Sequence, residues 1–350
     1  MRKILYPTAI LALILVLTSS CGEKHPTDDT DPVVPVARSF VKGADISWVT
    51  EMESKGYKFY NSAGRETECT ALMKEIGANA VRLRVWVNPA DGWNGRDDVV
   101  AKARRAQVLG MKVMIDFHYS DSWADPGKQN VPAAWKNMDA ATMAGAVGSH
   151  TREVLRALKD EGVDVAWVQV GNEVTNGMLW NSGKVAGTSA GEFVNYFRAG
   201  HDAVKEVYPD AQVILHLDNG WKLDTLNWFL QLMQSRSLPY DILGLSLYPS
   251  YWENGAFPDW TPKVRQFVEN VPVLVRSYGK PVMLVEFGMP ASQPDKAKAA
   301  LEYIFDNTRD NDSFLGVFYW EPESEHDRNG YDYGAFSGGK PTSALDPFAD

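Results

Sequence analysis

Two glutamates sit where an acidic side chain needs a reason to be. Glu173 closes the run Trp167-Val168-Gln169-Val170-Gly171-Asn172, and Glu286 follows Met283-Leu284-Val285. An ionisable group at the end of an apolar stretch is costly unless it is paired or has chemistry to do. Two carboxyl groups held about 5 Å apart can open an acetal bond in two steps, one as acid and then base, the other as nucleophile. Taken singly, each glutamate also reads as half of a salt bridge. Glu321, beside Pro322, is the rival nucleophile, ranked lower because it has already left its strand.

Other signatures are weaker. Gly187-Thr188-Ser189-Ala190-Gly191 has esterase spacing, but a nucleophile elbow needs a strand directly before it. Here the polar stretch Asn181-Ser182-Gly183-Lys184 comes first, and Ser189 with Glu192 reads as a capping box opening the next helix. There is no H-E-x-x-H, C-x-x-C or P-loop. Asp327-Arg328-Asn329-Gly330 lacks the further spaced ligands of a calcium loop, so neither metal nor cofactor is expected.

Eight apolar runs must position these groups: 41–47, 80–86, 112–118, 166–171, 212–217, 242–247, 282–287 and 315–320. Several are continuous rather than alternating, as in parallel strands covered on both faces. Amphipathic segments such as 97–109, 143–159, 193–208 and 296–307 lie between them. Eight such units predict one α/β domain, a (β/α)8 TIM barrel spanning 40–350. A doubly wound sheet would show a glycine-rich phosphate loop after its first strand, and Gly43-Ala44-Asp45-Ile46-Ser47 is not one.

A barrel gathers its active site at the C-terminal ends of its strands. Nearly every run here ends in a polar or aromatic group: Asp45 and Trp48; Arg82, Arg84 and Trp86; Asp116 and His118; Asn172 and Glu173; His216 and Asp218; Ser246 and Tyr248; Glu286; Trp320 and Glu321. Arg84, with His118, is expected to steady the Glu286 carboxylate, and Asn172 to meet a sugar 2-hydroxyl. Arg82 is expected to face away into a salt bridge. Trp86, Trp123, Trp180, Trp252 and Trp320 could stack on sugar faces.

The formal charge is −10, and no basic stretch stands out. That disfavours a nucleic-acid partner and suits an uncharged substrate. Met1-Arg2-Lys3 followed by the apolar run Ile10 to Thr18 reads as an export leader over residues 1–20. Leu17-Thr18-Ser19-Ser20-Cys21 resembles a bacterial lipoprotein cleavage site, with Leu four residues before the Cys rather than three. Lipid on Cys21 would tether the chain to an outer membrane or cell surface rather than span it; plain secretion is the alternative. Residues 21–39 are acidic and Pro-rich and read as a tether. Cys69 then has no disulfide partner and is expected to be buried and inert. A monomer is expected.

With these residues placed, the chain resembles glycoside hydrolase family 53, the arabinogalactan endo-β-1,4-galactanases of clan A. The likeness runs from Gly43 to Pro322, through Gly43-Ala44-Asp45-Ile46-Ser47-Trp48, Val81 to Pro89, Asp116 to Gln129, Val170-Gly171-Asn172-Glu173, His216 to Gly220, Gly244 to Pro249 and Gly316 to Pro322. It implies an endo-acting, retaining enzyme on β-1,4-galactan, with Glu173 as proton donor and Glu286 as nucleophile. Met289–Asp295 offers too few carboxylates for the calcium some relatives bind. A mannanase- or xylanase-type clan A glycanase, or a non-catalytic glycan-binding lipoprotein, are the alternatives.

Overall fold

The computed structural model describes residues 40–180 and 182–349; the leader, Cys21 and the tether lie outside them. Eight parallel strands close a barrel in sequence order: β1 Val41–Asp45, β2 Ala80–Val85, β3 Lys112–Phe117, β4 Val165–Val170, β5 Gln212–Leu217, β6 Ile242–Leu247, β7 Val282–Phe287 and β8 Phe314–Trp320. The (β/α)8 reading holds, and strand boundaries differ from the expected ones by at most two residues.

Helices fill the connections: α1 Val49–Ser54, α2 Cys69–Glu75, α3 Arg96–Val108, α4 Ala140–Asp160, α5 Phe193–Val207, α6 Leu223–Ser235, α7 Thr261–Tyr278 and α8 Pro294–Thr308. Local chemistry fixes several ends. The Asp139 carboxylate accepts from the Thr142 N–H at the start of α4, and Glu68 does the same with Ala71 at α2. Gly279 (φ +64°) ends α7 in the left-handed region that a side chain would resist. The capping box expected of Ser189 and Glu192 does not form. Helix α5 starts at Phe193, no side chain caps it, and the Ser189 hydroxyl accepts only from Gly191 within its own turn. Cys69 is buried as expected.

Strand side chains alternate between two cores. Outward residues such as Val81, Leu83, Val85, Val213, Leu215 and Leu217 pack beneath the helices. Inward residues Val41, Ala80, Met114, Trp167, Ile214, Ile242, Met283, Val285 and Phe318 fill the barrel's own core. The continuous apolar runs are thus two alternating apolar sets. Strand β7 breaks the alternation. Leu245 pairs with Leu284, but Ser246 pairs with Glu286, so β7 carries one extra residue. This β-bulge lets Glu286 reach the barrel mouth one residue after inward-facing Val285.

Closure between β8 and β1 leaves no room for a side chain at Gly316. Its φ is +142°, and a Cβ there would stand 2.1 Å from the Val41 carbonyl oxygen. Gly316→Ala should cost on the order of 3 kcal/mol, from backbone strain plus overpacking. Urea unfolding measures this; a loss below about 1 kcal/mol would mean the β1–β8 seam yields more than its geometry implies.

Candidate active site

One guanidinium organises the barrel mouth. Arg82 is fully buried. Its Nη1 donates to Asp45 (2.5 Å) and its Nε to Gln169 (2.8 Å), while Nη2 faces Asp116 (2.9 Å), Asn172 (3.0 Å) and Glu286 (2.8 Å). Strands β1, β2, β3 and β7 are therefore tied by ion pairs through one side chain. This corrects two expectations. Arg82 does not face away; it lies two residues before Arg84 on one strand and shares its inward face. And Arg82, not Arg84, steadies Glu286.

One cation serves three carboxylates, so their other partners decide which is held least firmly. Asp45 also accepts from the Ser47 N–H and hydroxyl. Asp116 also accepts from His118 Nε2 (3.0 Å) and Gln169 Nε2 (2.9 Å). Burial works against the Asp116 charge, but Arg82 and His118 outweigh it and hold the group at about 2. Among the described residues Glu286 has only Arg82 and the Tyr248 hydroxyl (2.9 Å). Burial prevails there and pushes it up to about 7. His118 thus acts on Asp116, and touches Glu286 only through the shared guanidinium.

Glu173 lies across the cavity. Its backbone is left-handed (φ +46°, ψ +55°), an uncommon conformation for a residue with a side chain. Burial, then the Glu286 and Asp218 carboxylates, hold its carboxyl well above the usual range; Ser246 and Arg82 pull the other way. Oxygens of Glu173 and Glu286, with a ring nitrogen of His216, lie within 4.8 Å of one another. His216 is kept neutral by burial and by Arg82. Its Nε2 meets the Ser246 hydroxyl (2.7 Å), and the Glu173 N–H and Gln169 Nε2 point at its Nδ1. The Asn172 amide oxygen also lies 3.0 Å from Nδ1.

The two carboxyl groups share a cavity of about 210 Å³ with His118, Trp123, Asn172, Tyr248 and Trp320. Asp45 and His216 stand behind that wall as supports. Asp218 bonds the Thr175 hydroxyl. Arg84, nearer the C-terminal end of β2, serves a different acid: it pairs with Glu321, and its guanidinium lies 4.3 to 5.9 Å from the ring centres of Trp48, Trp86, Trp123 and Trp320. Glu321 is fully buried against Arg84 and the Trp48 N–H, which removes it as a rival nucleophile. Trp86 backs Trp123 edge-on at 5.2 Å. Trp180 lines a separate depression of about 650 Å³, with Asp121 and Lys136, that contains neither carboxyl group. Sequence reasoning passed over Gln169, Tyr251 and Tyr331. Gln169 follows from the alternation of β4, but Tyr331 lies eleven residues beyond β8 with nothing local to mark it.

Removing the cation should be severe. Arg82→Met leaves Asp45, Asp116 and Glu286 buried without it, at a cost of about 3–5 kcal/mol. In the native protein Asp116 is held low, so its contribution is present at neutral pH and lost as pH falls toward about 2. In the variant Asp116 would lose the guanidinium that outweighs its burial and Glu286 would rise further, so stability should fall as pH rises. Urea unfolding at pH 5 and pH 8 should therefore show the larger deficit at pH 8; an equal deficit would argue against this electrostatic account.

Residues 41–343 match the sequence model of glycosyl hydrolase family 53. An arabinogalactan endo-β-1,4-galactanase of Humicola insolens is 34% identical over 314 residues, covering 82% of this chain and 91% of that protein. A solved fungal β-1,4-galactanase superimposes with a TM-score of 0.79 at 30% identity, covering 89% of this chain and 99% of the other. The family 53 catalytic domain of Ignisphaera aggregans gives 0.74 at 27%, covering 91% and 97%. With the fold, the paired acids and the match over most of the barrel agreeing, the chain belongs to glycosyl hydrolase family 53.

Proposed function

We propose that this protein is a retaining endo-β-1,4-galactanase acting on the galactan of pectic arabinogalactan. The observation that carries the reading is the approach of Glu173 and Glu286 within 4.8 Å across one cavity. Retaining enzymes need about 5–5.5 Å between the carboxyl groups, whereas inverting enzymes need about 6.5–9.5 Å to admit a water. The names of the relatives supply the substrate. A mannanase- or xylanase-type specificity would use the same acids, and no observation favours it.

Roles follow from the partners. Glu286, with a guanidinium and a phenol donating to it, ionises first and attacks the anomeric carbon. Glu173, beside two carboxylates, keeps its proton and delivers it to the departing glycosidic oxygen. Esterification removes the Glu286 charge, the Glu173 carboxyl becomes more acidic, and it then accepts a proton from water. Asn172 donates to the Ala124 carbonyl and retains one amide hydrogen for a sugar 2-hydroxyl. Trp123 and Trp320 offer ring surface to the sugar.

Export and lipidation at Cys21, with 21–39 as a tether, belong to the same proposal. They rest on the charged start, the apolar run and the small residues before Cys21. The chain would act as a monomer on a cell surface. Cys21→Ser should move the protein from the membrane fraction to the soluble fraction and abolish labelling by radioactive palmitate.

Glu173→Gln and Glu286→Gln should each fold normally and lose on the order of 10³-fold or more in reducing-sugar release from unbranched galactan. Near-native rates in either would sink the assignment. The rise of kcat/KM with pH should track Glu286, near its value of about 7, and the fall at higher pH should track Glu173. Tyr248→Phe removes a donor to the charged form and so raises the Glu286 value further; the rising limb should move to higher pH. A shift to lower pH would contradict the role given to Tyr248.

A further inference from the structure

Two neighbouring aromatic side chains stand out in water beside the cavity. Tyr251 is 58% exposed and Trp252 52% exposed. Both belong to the loop between β6 and α7, and Tyr251 lines the cavity that holds Glu173 and Glu286.

The loop holds both rings in place. Glu253 and Ala256 exchange backbone hydrogen bonds at 3.0 Å across a turn in which Asn254 (φ +50°) and Gly255 (φ +82°) are both left-handed. The Ser250 hydroxyl donates to the Pro258 carbonyl (2.6 Å), and the Trp252 N–H donates to the Tyr333 oxygen (2.8 Å). The Tyr251 ring stacks on Tyr333 with centroids 5.0 Å apart and planes 5° from parallel. Trp252 meets Phe257 edge-on at 4.7 Å. One face of Tyr251 is therefore backed, and the exposed surface of each ring costs little further entropy when covered.

Resting on the galactanase reading above, we propose that Tyr251 and Trp252 form a stacking subsite for the galactosyl unit next to the one held between the two carboxyl groups. Galactose suits a flat ring. Its axial 4-hydroxyl leaves the hydrogens on C3, C4 and C5 together on the opposite face, a compact apolar patch that an aromatic face covers well. The substrate is uncharged, and Glu253 of the loop is paired with Lys263 of α7 at 3.5 Å. The subsite follows on from the cavity, since Tyr251 borders it and Tyr248, whose hydroxyl holds Glu286, lies 6.4 Å from Tyr251 ring to ring.

The test is dependence on chain length. The full protein and its Tyr251→Ala, Trp252→Ala and Tyr251→Phe variants would be assayed on reduced β-1,4-galacto-oligosaccharides of increasing length and on unbranched galactan. Both alanine variants should keep the wild-type melting temperature, and Trp252→Ala, whose ring is not part of the cavity wall, should keep the wild-type kcat/KM on the shortest chain cleaved. On longer chains each should fall by about tenfold, through KM more than kcat, because stacking contributes on that order. Tyr251→Phe keeps the ring and should behave as wild type. Equal losses at every length, or none at any length, would overturn the subsite while leaving the enzyme a galactanase. Failure of the wild-type protein to cleave any of these substrates would instead overturn the galactanase reading and the subsite with it.

Discussion

A buried guanidinium surrounded by three carboxylates is an expensive arrangement, and the mouth of this barrel is built on it. Taking Arg82 and its partners out of water costs several kcal/mol per ion before their attraction returns anything. Return depends on geometry, and here Arg82 satisfies groups on four strands and the loop residue Asn172 at once. The arrangement also leaves a deficit, since three acids share one cation. Among the described residues Asp45 and Asp116 draw extra donors from Ser47, His118 and Gln169, whereas Glu286 draws only the Tyr248 phenol. The shortage of positive charge is thereby concentrated on the one carboxylate that faces the cavity.

The same logic separates the two glutamates. They share a cavity, yet a guanidinium and a phenol donate to Glu286, whereas Glu173 faces the Glu286 and Asp218 carboxylates. Proximity supplies the remaining asymmetry, because each ionised acid makes the other harder to ionise. The backbone contributes as well. Tyr119, Glu173, Asn219 and Glu321 all have φ between +46° and +50° within three residues of a strand end. Non-glycine residues occupy that region at a cost, and its recurrence at the rim shows strain gathered where side chains must be turned into the mouth.

Much of this could be read from the residues. The apolar runs located all eight strands because each strand is covered on both sides, and the strand-end rule located both glutamates. What resisted reading was orientation. Arg82 and Arg84 have the same parity and both point inward, but only depth along the barrel axis decides that Arg82 meets Glu286 while Arg84, nearer the strand's C-terminal end, meets Glu321 and the tryptophans. Depth is set by strand stagger around the barrel, which no single strand encodes. Ser189 and Glu192 had capping-box spacing, yet the preceding turn bonds Ala186 to Ser189 and the helix begins later. Tyr331 and Tyr251 reach the site from loops that pack on residues far away in sequence, Tyr331 on Trp48 and Tyr251 on Tyr333.

The extra residue in β7 has a consequence for how this barrel can change over evolutionary time. Val285 and Glu286 both serve the interior only because the strand slips by one against β6. Losing a residue there would swing the acid outward among the helix-facing aliphatics, and adding one would repeat the error in the other direction. Drift in length is thus barred from the strand and diverted to the rim, where segments such as Ser250–Trp260 can lengthen, shorten or exchange aromatics without disturbing the reacting centre. Diversification among such barrels would then be a matter of which chains they grip, with the bond-breaking apparatus kept fixed by count as much as by identity.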